Sequence, residues 1–386
     1  MPFYRQQGEL PRKKHTAVRK PDGGLLREEL FSTQGFAGAY STRYRLDLPT
    51  RVQKVRELPP PQTPAWPKAP LQPYHFFSLE KPAGGDFLTA RRIFLENDDV
   101  RFGTIQPNRS LQAFYRNASA HELVFIHRGA GVLQSEYGRL QFAEGDYLVI
   151  PKGVTVLVEF AALVNNALLL IESAAPFEIP RHYRSEGGQI LEHAPYCERV
   201  FRAPELGEPH GEPGDFRLLL QTRGRLFEYA LDRHPFDVAA WDGYHYPFAF
   251  NIADFNPVVG KLHLPPPVHA VFHTRAAMVS NFVPRLADFH PEAVPIPYYH
   301  SNIDCDEVLY YVRGNFMSRR AVREGSVTLH PGGVPHGPQP GKIEAALGLK
   351  ALDEWAVMLD TFAPLRLTGH VRKVLDKDYA RSWSKP

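Results

Sequence analysis

The stretch HSNIDCDEVLYYVRGNFMSRRAVREGSVTLHPGGVPHGP, from His300 to Pro338, sets three histidines and several acids among short apolar runs. Two imidazole nitrogens and one carboxylate oxygen form the facial triad of non-heme Fe(II) oxygenases, which leaves coordination positions open on one side for substrate oxygen and dioxygen together. His300, Glu307 and His336 can supply that set. His300 and Glu307 are seven positions apart, so an unbroken strand would send them to opposite faces. The intervening SNIDCD is polar and turn-forming and lets the chain bend so that both point inward. His336 follows a hairpin, in PGGVPHGP, where prolines and glycines fix a tight approach. The bland alternative is three satisfied core or surface residues. Cys305 is either a thiol nucleophile or a small buried filler. Eight of the 17 histidines lie between His245 and His336, the strongest compositional signal in the chain.

Short β-type runs must position these side chains: LVFIH, GRLQF, DYLVIP, TVLVEF, ALLLIES, VLYYV and SVTLHP, most with Gly, Pro or Asp near their ends. Helical periodicity is scarce, apart from a short C-terminal helix expected within Pro364 to Trp383. The chain is therefore mostly β, a sandwich or barrel. A weak internal repeat is present. HELVFIHRGAG from His121 resembles DEVLYYVRGNF from Asp306, and EGDYLVIPKGVTV from Glu144 resembles EGSVTLHPGGVPH from Glu324. Glu122 and Gly129 match Glu307 and Gly314. Where the second copy has His300 and His336, the first has Tyr115 and Val156. Two tandem small barrels are expected, the first degenerate and the second metal-binding. The expected divisions are an N-terminal arm with a proline-rich wrap (1–80), a domain with the metal-free barrel (81–235), and a catalytic domain with a C-terminal tail (236–386).

The 386 residues carry a net charge of only +3 with acids and bases interspersed, which argues against nucleic acid as a partner. No run of about 18 apolar residues suggests a membrane span, and the polar start MPFYRQQGEL lacks the apolar core of a signal peptide. The basic first 56 residues read as a solvated arm or a subunit contact. Two cysteines make no disulfide framework and fit a reducing cytoplasm.

The Glu-x6-Gly and Gly-x5-Pro-x-Gly-x2-His patterns resemble the two cupin motifs. Within the cupins, the chain is similar to the homogentisate 1,2-dioxygenases, in their shorter bacterial form. The likeness rests on FDVAAWDGYHYPFAFNIADFNP at 236–257, YYHSN at 298–302, LHPGGVPHGP at 329–338 and the opening QQGELPRKKHT…REELFSTQGFAG, and it extends over most of the chain. It implies Fe(II) on His300, Glu307 and His336, and ring opening of homogentisate by O2 to 4-maleylacetoacetate in tyrosine and phenylalanine catabolism. It further implies a hexamer built as a dimer of trimers, with the first barrel structural. Two features depart from the family. Phe316 stands two residues after the motif glycine, where a tyrosine is common, and the loop between His300 and Glu307 is one residue longer than in some relatives.

A metal-bound phenolate must first lose its proton, which suits a neutral histidine nearby. His263, in KLHLPPPVH, and His330 are the candidates, and the resemblance assigns the base to His263. His330 also serves as a hydrogen-bond partner for substrate or oxygen. Tyr298 and Asn302 flank His300 and can orient a ring substituent. With Phe316, His330 and His336 they make the expected substrate set. Arg275, Arg285 and Arg313 are candidates to pair a substrate carboxylate. The alternatives are a related cupin dioxygenase acting on gentisate or a hydroquinone, and a non-catalytic two-barrel metal-binding protein.

Overall fold

Each apolar run singled out above lies in a strand of the computed structural model, which describes residues 3–316 and 318–384. The strands form two barrel-like bodies. In the first, a seven-stranded sheet runs Phe248–Asn251, Asp146–Ile150, His121–Arg128, Ala167–Ser173, Val100–Ile105, Arg91–Glu96, Arg366–Leu367. Its companion runs Gly138–Phe142, Gly131–Ser135, Thr155–Phe160, Phe114–Asn117, Pro213–Thr222, Arg225–Arg233, Lys54–Leu58. The chain crosses repeatedly from one sheet to the other between Phe114 and Ser173, which closes the apolar inner faces on each other.

The second body is a six-stranded sheet in the order Ala270–His273, Ala277–Phe282, Glu354–Thr361, Asp306–Gly314, Ser326–His330, Tyr74–Phe77. The rest of its wall is thin: a two-stranded pair, Arg285–Leu286 with Ala351–Leu352, and a single antiparallel bridge between His300 and His336. One wall is thus a rigid ladder and the other mostly loop, a construction that leaves a mouth.

Several strands in these sheets are apolar without alternation because both faces are covered. His121–Arg128 is buried at all but its last residue. The two bodies meet at the neighbouring strands Asp146–Ile150 and Phe248–Asn251: Phe272, fully buried, packs against Tyr147, Phe248 and Phe250 at 5.9, 6.0 and 6.2 Å between ring centroids.

The sheets also run across the expected divisions. Tyr74–Phe77 is an edge strand of the second body, and Phe248–Asn251 pairs with Asp146–Ile150 in the first. The proline-rich stretch is extended and bridges the C-terminal segment at Ala65–Thr368. Part of the basic N-terminal region is not solvated: Arg43 and Arg45 are buried in an ion cluster with Glu29, Glu136 and Asp237. The C-terminal helix expected within Pro364 to Trp383 does not form. That segment holds the strand Arg366–Leu367 and two 3-10 turns, Val371–Lys373 and Tyr379–Arg381. Its backbone is held extended by Thr368 N–H on Phe94 O and Gly369 N–H on Pro64 O, at 2.9 and 2.6 Å. Among the described residues no helix is long and apolar enough to cross a membrane.

Candidate metal centre and its cavity

His300 and His336 face each other across the bridge, each backbone N–H donating to the other's carbonyl at 2.9 Å. Glu307 rises between them from the central strand Asp306–Gly314. Its Oε2 is 3.3 Å from His300 Nε2, and its Oε1 is 3.4 Å from His336 Nε2. The polar SNIDCD loop makes this convergence possible by separating the bridge from the strand.

Both rings are aimed by backbone. His300 Nδ1 donates to Tyr298 O at 3.2 Å and His336 Nδ1 to Val334 O at 3.0 Å. With the proton on Nδ1, each Nε2 presents a lone pair toward Glu307, the tautomer and orientation that metal-bound histidines take. His336 Nε2 is buried and has no hydrogen-bond partner. A buried acceptor left in that state is costly unless a cation takes it, so the donor set fits a divalent transition metal. Burial pushes the Glu307 carboxyl up, but the surrounding His300, His330 and His336 outweigh it and hold it well below the ordinary range.

His330 supports this centre from behind. It is fully buried, its ring stacks on His336 at 4.4 Å, and both its nitrogens are engaged: Nδ1 with Glu307 at 3.0 Å and Nε2 with the Tyr379 hydroxyl at 3.2 Å. It does not line the cavity. Phe316 does not line it either; it packs edge-on against Tyr311, 4.7 Å away, beside Ala356.

The cavity, about 370 Å³, opens over His300 and Glu307, while His336, expected to contact substrate, does not line it; His263, Tyr298 and Asn302 complete the mouth, with apolar walls from Phe282, Leu309 and Met358. His263 packs edge-on against Tyr298 at 5.1 Å, and its Nδ1 lies 4.0 Å from Asp288. Burial lowers its pKa, which favours the neutral ring. Of the three arginines considered from the sequence, only Arg285 lines the cavity, and Glu354 holds it at 3.0 Å. Arg313 is exposed, lies over Trp355 and is 3.7 Å from Glu144. Arg275 is exposed. Cys305 is half-buried and does not line this cavity, and burial raises its thiol to about 11, which disfavours the nucleophilic thiolate.

Arg319, His269 and Asp360 also line the cavity and were not singled out from the sequence. Asp360 is the cross-strand neighbour of Glu307, and burial together with Glu307 pushes it up to about 7. His269 is buried against Phe282, and burial lowers it to about 3.

The first barrel repeats this register with different side chains. Tyr115 pairs with Val156 as His300 pairs with His336, Glu122 with Ile150 as Glu307 with His330, and Glu122 with Glu172 as Glu307 with Asp360. Its acids converge on a guanidinium: Arg91 lies 2.7 Å from Glu122 and 3.1 Å from Glu172. A second group of possible ligands, His210, Glu212 and His234, lies elsewhere, at the surface.

A mostly-β barrel with two histidines and a glutamate converging at its mouth defines a cupin with a candidate metal centre. The chain belongs, more narrowly, to the homogentisate 1,2-dioxygenase family. The family model described as homogentisate 1,2-dioxygenase N-terminal matches residues 99–252. A protein of Saccharolobus solfataricus, provisionally named a dioxygenase with no substrate in the name, is 39% identical over 99% of both chains. The homogentisate 1,2-dioxygenase of Bradyrhizobium diazoefficiens is 28% identical over 70% of this chain and 62% of its own length. The Homo sapiens enzyme of the same name is 25% identical over 70% of this chain and 64% of its own. The match thus spans less than two thirds of those two longer enzymes.

Proposed function

We propose that the chain is an iron-dependent ring-cleaving dioxygenase that converts homogentisate and O2 to 4-maleylacetoacetate. One observation carries this reading: two backbone-pinned imidazoles and a buried carboxylate converge at an aromatic-sized cavity of mixed polar and apolar lining. His300, Glu307 and His336 would hold Fe(II), which when bound supplies adjacent open positions for a phenolate oxygen and dioxygen. The protein's own part begins with the phenol proton. His263, kept neutral by burial, takes it, and Asp288 at 4.0 Å favours the resulting imidazolium. Tyr298 and Asn302 flank the ligand His300 at the mouth and orient the ring. Leu309, Met358 and Phe282 keep water from the reacting carbon. His330 holds the Glu307 carboxylate in place from behind.

The family resemblance also brings a hexameric assembly into the proposal. It is supported by the exposed apolar side chains of Leu262, Phe289, Tyr299 and Ile303, all within the segment that carries the cavity mouth.

A related hydroquinone acid such as gentisate is the second reading. It is favoured by Phe316 and by the higher identity to a relative whose name specifies no substrate. Steady-state oxygen uptake on homogentisate, gentisate and hydroquinone decides between them. The expected order places kcat/KM highest for homogentisate; a clearly higher value for gentisate moves the chain to the second reading.

A further inference from the structure

Arg319 stands apart among the arginines of the second barrel. Its side chain is only 8% exposed, yet it lines the cavity over the triad. Among the described residues no carboxylate lies within ion-pair distance of it, whereas Arg285 is held by Glu354. Its Nη1 donates to the carbonyls of Gly337 at 2.6 Å and Ser318 at 3.2 Å, and its Nε has no partner. Trp383 packs near the guanidinium from the C-terminal tail, 5.7 Å from the ring centroid. Carbonyls and the nearby Tyr379 hydroxyl satisfy this buried cation in part, and with no carboxylate in ion-pair reach the remaining guanidinium edge is open to an anion.

We infer that Arg319 binds the carboxylate of the acidic aromatic substrate and sets the preference for acids over neutral hydroquinones. The inference rests on the ring-cleaving reading above and adds the residue that selects the acid. Gly337, the anchor of the guanidinium, follows ligand His336 directly in the chain, so Arg319 is fixed close to the triad. In homogentisate the carboxymethyl group is ortho to a hydroxyl. With that hydroxyl on the metal, the carboxylate stays near the centre, where a planar guanidinium can engage it. Arg285 cannot serve as well, because Glu354 already compensates it.

The test is calorimetric binding to the iron-loaded chain without oxygen, comparing homogentisate with its methyl ester. The unaltered chain is expected to prefer the acid by roughly 30- to 1000-fold, the range for a desolvated charge pair. Arg319→Met should bring the two ligands near parity, with ester affinity and iron content unchanged. Arg319→Lys keeps the charge but loses the fork, and should show a reduced preference; it decides the matter if the methionine variant does not fold. A preference that stays at its original size in the folded variants overturns the inference, as does equal affinity of the unaltered chain for acid and ester. Both of those results leave the ring-cleaving reading standing. Failure of either ligand to bind the unaltered chain removes that reading and this inference together.

Discussion

A carboxylate buried between other polar groups needs a counter-charge, and the two barrels supply it differently. Arg91 provides it to Glu122 from within the fold, whereas Glu307 is ringed by His300, His330 and His336, a set that a bound divalent cation would complete. Glu122→Ala should therefore leave bound metal unchanged and cost about 1–3 kcal/mol of stability, because it leaves buried Tyr115, Asn117 and Arg91 each short of a partner while Arg91 keeps Glu172. Glu307→Ala should lose the metal. Metal analysis beside thermal unfolding checks both, and a folded Glu122→Ala that loses its metal reverses the assignment. His263→Gln should keep the metal and lower turnover by roughly 10²–10⁴-fold, the usual effect of a positioned proton acceptor. Turnover near the original value would make His263 a packing residue. The triad could be read from the sequence because its counterpart repeat carries Tyr115 and Val156 in the matching places. Arg319 could not. It lies in the basic-looking FMSRRAVREG, and it meets Tyr379 and Trp383 only through the fold, some sixty residues away. Asp360 becomes a neighbour of Glu307 only through strand register.

The strands with their turns were the most readable elements, since local composition decides them. Gly129 and Gly314, matched in the repeat, adopt φ values of 116° and 104°, a region that side chains avoid. A Cβ on Gly314 would also collide with the carbonyl of Asp353. Gly314→Ala should therefore destabilise the chain by more than about 1 kcal/mol, seen as a lower unfolding midpoint in denaturant. An unchanged midpoint would mean that the turn after the Glu307 strand tolerates another conformation. Pairings between distant segments were not readable. Tyr74–Phe77 and Arg366–Leu367 each complete a sheet belonging to another part of the chain. The C-terminal segment chose extended pairing with Phe94 and Pro64 over a helix because those partners satisfy its backbone.

The molecule as a whole also buries neutral histidines outside the triad. Burial lowers His121 to about 3, and His127 and His245 to about 4. An unfolded histidine titrates near 6.5. Between those values the unfolded chain takes up protons that the folded chain refuses. Stability from these sites is therefore complete above about pH 6.5 and falls as pH drops toward 4, by up to about 1.4 kcal/mol per pH unit for each histidine. Denaturant titrations at pH 7.5 and 5.0 should show the loss, and equal stabilities at the two values would refute it.

The most direct test of the account is oxygen uptake by the ferrous-loaded chain with homogentisate, beside Glu307→Ala treated identically. The expected result is one O2 consumed per homogentisate by the original chain and none above background by the variant. Uptake that persists in a folded Glu307→Ala, or no uptake by the iron-loaded original chain with homogentisate or gentisate, would contradict it.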